Sequence, residues 1–232
     1  MSRYSLNNIT YVEPKVPSLY TALSVGKAAT NPDVYGKHAN AQVINYNDIV
    51  EVVVKNHDAG AHPIHMHGHN FQMVERSGPR AAAYSGTSNG APKTPMRRDT
   101  MKVNGNGYLV YRFKADNPDK CPSPLCSETA LLTIAARVWA FHCHIDWHLT
   151  AGFFATIVEA PLQLQSQSVP PDQFKVCKDQ NLPYQGNAAG NTQNFSDLTG
   201  ANDAPPVNNR GYGPFPSLPS HILTFSSALI TY

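Results

Sequence analysis

Over residues 1–162 the apolar positions fall in short β-branched or aromatic runs rather than at helical spacing. Val43-Ile44-Asn45, Ile49 to Val54, Phe71 to Val74, Tyr108 to Phe113 and Phe153 to Val158 are such runs. Asn47-Asp48, Ser77-Gly78-Pro79 and Asn104 to Gly107 separate them with residues that favour turns. In Tyr108 to Phe113 the two alternating sets of side chains differ, as in a strand with one buried face. Strands at this spacing predict an all-β unit, a sandwich or Greek-key barrel, over residues 1–162. After Pro161 the pattern changes. Residues 163–232 read as an irregular tail, and 178–220, rich in Asn, Gly, Pro, Gln and Ser, as its mobile part. Within it, Pro170 to Cys177 predicts one short helix with prolines in its first turn. His221 to Tyr232 turns apolar again, but falls short of the roughly 20 residues that a bilayer-spanning helix needs.

Composition narrows the class. Of 232 residues only 15% are charged, and 19 Pro with 15 Gly favour short elements and many turns. The 18 Lys and Arg form no dense block and the net charge is +2, so nothing points to nucleic acid. The polar start, Met1 to Asn8, has no apolar signal core. These features exclude a transmembrane bundle, a collagen, a coiled coil and a basic nucleic-acid binder.

The histidines change the picture most. Eight of the 10 fall within residues 57–69 and 142–148, where uniform scatter would place about one. His65 and His67 are two apart and share a face if the chain is extended. So do His142 and His144, which forces Cys143 between them to the opposite face. Two metal centres on opposite sides of one strand follow. Thiolate with two imidazoles is the trigonal donor set of a blue-copper site, and Cys143, His148 and one first-cluster histidine supply it. Structural zinc is the rival reading. Zinc sites usually pair cysteines at short spacing, whereas here one cysteine is bracketed by imidazoles.

His62 to His69 and His142 to Phe153 resemble the two copper motifs of the third, C-terminal cupredoxin domain of the multicopper oxidases. The resemblance covers nearly all of residues 4–162 and parts of the tail, and it implies a cupredoxin-like (plastocyanin-like) fold. Carried over by position, it implies that His62, Cys143 and His148 hold the type 1 copper. His65 would hold the type 2 copper, and His67, His142 and His144 would share in the type 3 pair. Phe153 stands at the axial position and cannot coordinate, which favours Cu(I) and raises the potential. His69 and His57 match no ligand position and are expected beside the ligands or at the surface. Electrons would cross from the type 1 copper through Cys143 to His142 and His144, about 10 Å across a pleated strand. They would reduce O₂ to water at the trinuclear cluster.

Leu6 to Pro17 is most similar to the fungal iron-transport ferroxidases within that family; laccases are the alternative. The resemblance implies O₂ and a one-electron reductant, Fe(II) or a phenol, as reaction partners. It also implies an iron permease as a protein partner if iron is the substrate, and a secreted or cell-surface location. Asp58, four residues before His62, and Tyr11 would serve Fe(II); the plain alternatives are a turn residue and a packed strand residue. The family's trinuclear cluster takes eight histidines, half of them from a first domain, and this chain offers four: His65, His67, His142 and His144. Residues 1–3 lead straight into the third domain. The upstream cupredoxin domains are therefore expected to be missing, as in a fragment or truncated gene product. Such a chain should bind type 1 copper without turning over O₂.

Other departures bear on the chain's history. Residues 121–137 interrupt a stretch that the family runs through almost directly. They read as a retained intron of 17 codons, or as a hairpin closed by a Cys121–Cys126 disulfide. In relatives a cysteine placed like Cys177 can pair with one in the first domain. Asn8-Ile9-Thr10 and Asn194-Phe195-Ser196 are sequons of a glycoprotein. Two further readings stay open: a stand-alone blue-copper electron carrier, and an inactive truncated fragment that does not fold.

Overall fold

The computed structural model describes residues 3–81, 84–86, 91–117, 138–166, 169–204 and 222–230. Residues 121–137, with Cys121, Cys126 and the intron-or-hairpin question, lie outside these. The strands are β1 (Arg3–Leu6), β2 (Ala41–Ile44), β3 (Ile49–Asn56), β4 (His62–Met66), β5 (Phe71–Arg76) and β6 (Arg97–Arg98). They continue with β7 (Thr100–Val103), β8 (Tyr108–Lys114), β9 (Val138–Cys143), β10 (Phe154–Glu159) and β11 (Ile222–Ile230). Among the described residues four short α-helices accompany them: α1 (Ser18–Ser24), α2 (Asp146–Thr150), α3 (Pro161–Leu164) and α4 (Pro171–Asp179).

Among the described residues the strands form two sheets, in the orders β1-β11-β3-β8-β5-β6 and β2-β10-β9-β4-β7. β3 shows why the two pack. Val50, Val52 and Val54 point inward and are at most 2% exposed, so one face of a β-branched run is removed from water. Phe71 stacks on Tyr111 at 4.0 Å between the sheets, and Phe141 of β9, Ile157 of β10 and Phe153 just before β10 enter the same core. Cys143 belongs to that core and is wholly buried.

The tail is less loose than its composition suggests. α4 stands where the prolines predict a helix, with Pro171 in its first turn. Residues 181–204 lack regular secondary structure, but side-chain hydrogen bonds tie them together. Asn187, wholly buried, donates to Phe195 O and Asp197 O and accepts from the Ala189 and Asn191 amides. Side-chain bonds to the backbone thus do the work of a ladder. β11 is the larger correction to an irregular tail. It runs parallel to β3 and antiparallel to β1, and its Phe225 stacks on Phe141 at 4.4 Å. A strand whose partners lie so far back in the chain leaves no local signal.

Candidate metal centres

β4 and β9 run antiparallel side by side, with Ile64 opposite Cys143 and His65 opposite His142. Opposed residues share a face, so this register sorts the donors. Even-numbered His62, Ile64 and Met66 turn into the core with Cys143, while His65 and His67 turn outward with His142. His148 arrives from α2, whose single turn brings its ring back toward the end of β9.

The buried group is compact. Cys143 Sγ lies 3.5 Å from His148 Nδ1 and 3.7 Å from His62 Nδ1, and the two Nδ1 atoms are 3.1 Å apart. His62 Nε2 lies 3.0 Å from Asp58 Oδ2. That contact sets the tautomer: the proton on Nε2 donates to the carboxylate and leaves Nδ1 bare toward the sulfur. Phe153, wholly buried, closes the group against His62 at 5.0 Å, and Tyr4 lies over the His148 ring at 3.9 Å. Burial pushes the Cys143 thiol up to about 11, partly offset by the Ile145 amide. Burial also lowers His62 and His148; Asp58 opposes this at both, and His62 adds to it at His148. The metal-free pocket therefore holds a neutral thiol and neutral imidazoles, and metal uptake must expel the thiol proton.

The outward group is open. Donor atoms of His65, His67 and His142 all lie within 4.8 Å of one another, and His67 Nε2 is 3.1 Å from His142 Nε2. His142 Nδ1 donates to Cys143 O at 2.9 Å, and His65 Nδ1 is engaged by Asp99 O at 3.0 Å and Thr100 Oγ1 at 2.9 Å, so each keeps Nε2 for a ligand. Exposed His144 stands beside them, its ring 5.5 Å from that of His65 and 5.8 Å from that of His142. Burial lowers His67 first, and the neighbouring His65 and His144 lower it further. His142 is lowered by burial too, against the hydrogen bond it donates to Cys143 O.

A profile of the multicopper oxidase family matches residues 11–163. The chain is 47% identical over 203 residues to the iron transport multicopper oxidase fetC of Epichloe festucae, covering 85% of this chain and 30% of that protein. It is 48% identical over 200 residues to FET3 of Gibberella zeae, covering 84% of this chain and 29% of that one. The crystal structure of Fet3p, a multicopper oxidase that functions in iron import, superposes with a TM-score of 0.70 at 37% identity. That superposition covers 82% of this chain and 35% of that one. The chain belongs to the multicopper oxidase family. It spans about three-tenths of the length of the curated relatives it matches.

Both the all-β class and the cupredoxin-like fold expected from the sequence agree with this membership. Copper is the family's metal, and the buried donors suit it. A thiol and two Nδ1 atoms form a three-donor group with hydrocarbon Phe153 beside it, whereas structural zinc takes four ligands. The outward imidazoles suit copper equally well in donor type.

Two substrate residues expected from the sequence do not meet. Asp58 lies with His62 on the buried-group side. Tyr11 packs on Phe154 at 4.3 Å, and Phe154 stacks on His142, which puts Tyr11 on the outward-histidine side. Burial, then Glu13, pushes the Tyr11 hydroxyl up to about 12; the residue packs on Phe154 from a segment outside the strands. The tyrosine that reaches the buried group is Tyr4, missed because β1 is only four residues long and directly precedes the Asn7-Asn8 turn. His57 joins neither group, and His69 is buried against Glu159 rather than at the surface.

Proposed function

We propose that this chain is the electron-accepting C-terminal part of a ferroxidase-type multicopper oxidase. In this reading His62, Cys143 and His148 hold type 1 copper, His65 holds type 2 copper, and His67, His142 and His144 belong to the type 3 pair. The bound metals would supply one-electron acceptance from the reductant and four-electron delivery to O₂. One observation carries the reading: adjacent residues of β9 serve two donor groups on opposite faces. The His142 Nδ1 hydrogen bond to Cys143 O adds a second short link between them.

Fe(II) is the substrate favoured over a phenol. Asp58 is 18% exposed at its side chain and touches His62, so one carboxylate both faces water and adjoins an electron-accepting imidazole. A hard cation prefers such an oxygen donor. Tyr4 borders the same place, its hydroxyl raised by burial, Asp58 and Cys143, which keeps it protonated and neutral there. The iron transport named in fetC and FET3 supports the same choice. An iron permease as partner and a secreted or cell-surface location follow from this reading, as does completion of the outward histidines by upstream domains.

The test is Fe(II) oxidation by the copper-loaded chain under anaerobic conditions. A thiolate-to-copper absorption band that bleaches on adding one equivalent of Fe(II), and bleaches far more slowly in Asp58→Ala, is the expected result. A band that bleaches equally fast in Asp58→Ala contradicts the iron assignment.

A further inference from the structure

Glu159 is a buried carboxylate that neither donor group uses. Its side chain is 0% exposed at the far end of β10 from Phe154, the residue that adjoins His142. An ion in that position is costly unless its oxygens are hydrogen-bonded, and here they are. Oε2 accepts from Trp139 Nε1 at 2.9 Å, and Oε1 accepts from the Asn117 amide at 3.1 Å. His69 Nε2 lies 3.3 Å from Oε2, at ion-pair distance without hydrogen-bond alignment.

All three partners converge on Gly68, the residue that follows the outward ligand His67. The Trp139 indole occupies the space where a Cβ at residue 68 would sit, 2.5 Å away, and Gly68 has φ +74°, which a side chain would strain. Asn117 Nδ2 donates to Gly68 O. His69, the next residue, has its ring 4.7 Å from Phe113 and 5.9 Å from Trp139. On the other side His67 N donates to Ala140 O of β9. The turn that aims His67 is thus fixed by one carboxylate acting through Trp139, Asn117 and His69. None of these contacts reaches Cys143, His62 or His148.

We infer that Glu159 is a positioning residue for the outward histidine group: it holds the Trp139, Asn117 and His69 contacts that lock the 67–69 turn and so presents His67 to metal. This rests on the reading of the two donor groups as separate copper sites. The chain supplies its own control, because the buried group reports on the fold without depending on Glu159.

The test titrates Cu(II) into the full chain and its Glu159→Gln, Glu159→Asp and Trp139→Phe variants. Electron paramagnetic resonance separates thiolate-bound from imidazole-bound copper. Glu159→Gln is expected to weaken imidazole-bound copper about tenfold or more, the usual scale for losing an outer hydrogen-bond partner. It should leave the thiolate band and its copper affinity unchanged, and Glu159→Asp should recover part of the loss. Trp139→Phe keeps an aromatic side chain but drops the N–H, and it should weaken the same site if Glu159→Gln does not fold. Equal imidazole-site affinity in all variants, or parallel weakening of both sites, overturns the proposal. An unsubstituted chain that takes up copper at neither group overturns the two-site reading itself, and the proposal with it.

Discussion

The two faces of β9 contrast in how much each needs from outside. The inward group is complete within one chain: three donors from β4, β9 and α2, each no more than 7% exposed, walled by Phe153. The outward group holds its imidazoles at a surface, where His67 and His144 are exposed and no second wall stands among the described residues. In the proposed reading the inward donors tune one metal in a dry pocket and the outward ones are shared. Burial leads the electrostatics of both groups, and a neighbouring imidazole adds to it in each: His62 at His148, His65 and His144 at His67.

The largest effect that would break this contrast is removal of the sulfur. Cys143→Ser should abolish the thiolate-to-copper band outright while imidazole-bound copper persists, as read by visible absorption and electron paramagnetic resonance. Loss of both signals together would show that the two faces are not independent. Next comes the tautomer lock. Asp58→Ala frees His62 Nε2 and should weaken inward copper by roughly tenfold to a hundredfold, with outward copper unaffected in the same titration.

A donor placed beside the inward group should act on potential more than on affinity. Phe153→Met offers a thioether where a phenyl ring now packs, and should lower the Cu(II)/Cu(I) potential measured by redox titration. An unchanged potential would place residue 153 away from the axial direction. The smallest effect is in pH. His62, His67, His142 and His148 are all lowered from 6.5 in the folded, metal-free chain. The unfolded chain then binds protons first, so stability present above pH 6.5 should fall as pH drops through and below that value. Denaturant midpoints across that range check it, and a midpoint that rises on acidification would reverse the sign.

Much of this was legible in the sequence for a simple reason. Strand parity is strict, so His65, Cys143 and His142 could be sorted to faces before any coordinates, and β4 and β9 kept that parity. The runs of Val and Ile in β3 announced themselves in the same way. What stayed hidden depended on contacts between distant segments. β11 inserts between β1 and β3, strands far back in the chain, and Asn187 organises its loop through bonds that composition does not encode. Tyr11 stood out by resemblance, yet Tyr4 reaches the buried donors, because a four-residue edge strand carries too little pattern to place a side chain. Asp58 was visible at its spacing from His62, but its grip on Nε2 became clear only in space.

The most direct measurement is metal analysis with visible spectroscopy on the folded chain loaded with copper in the presence of competing zinc. One copper held through Cys143, with an intense thiolate band that survives His67→Ala, is the predicted result. Zinc bound through the Cys143 thiolate, or copper taken up with no thiolate band, would contradict it.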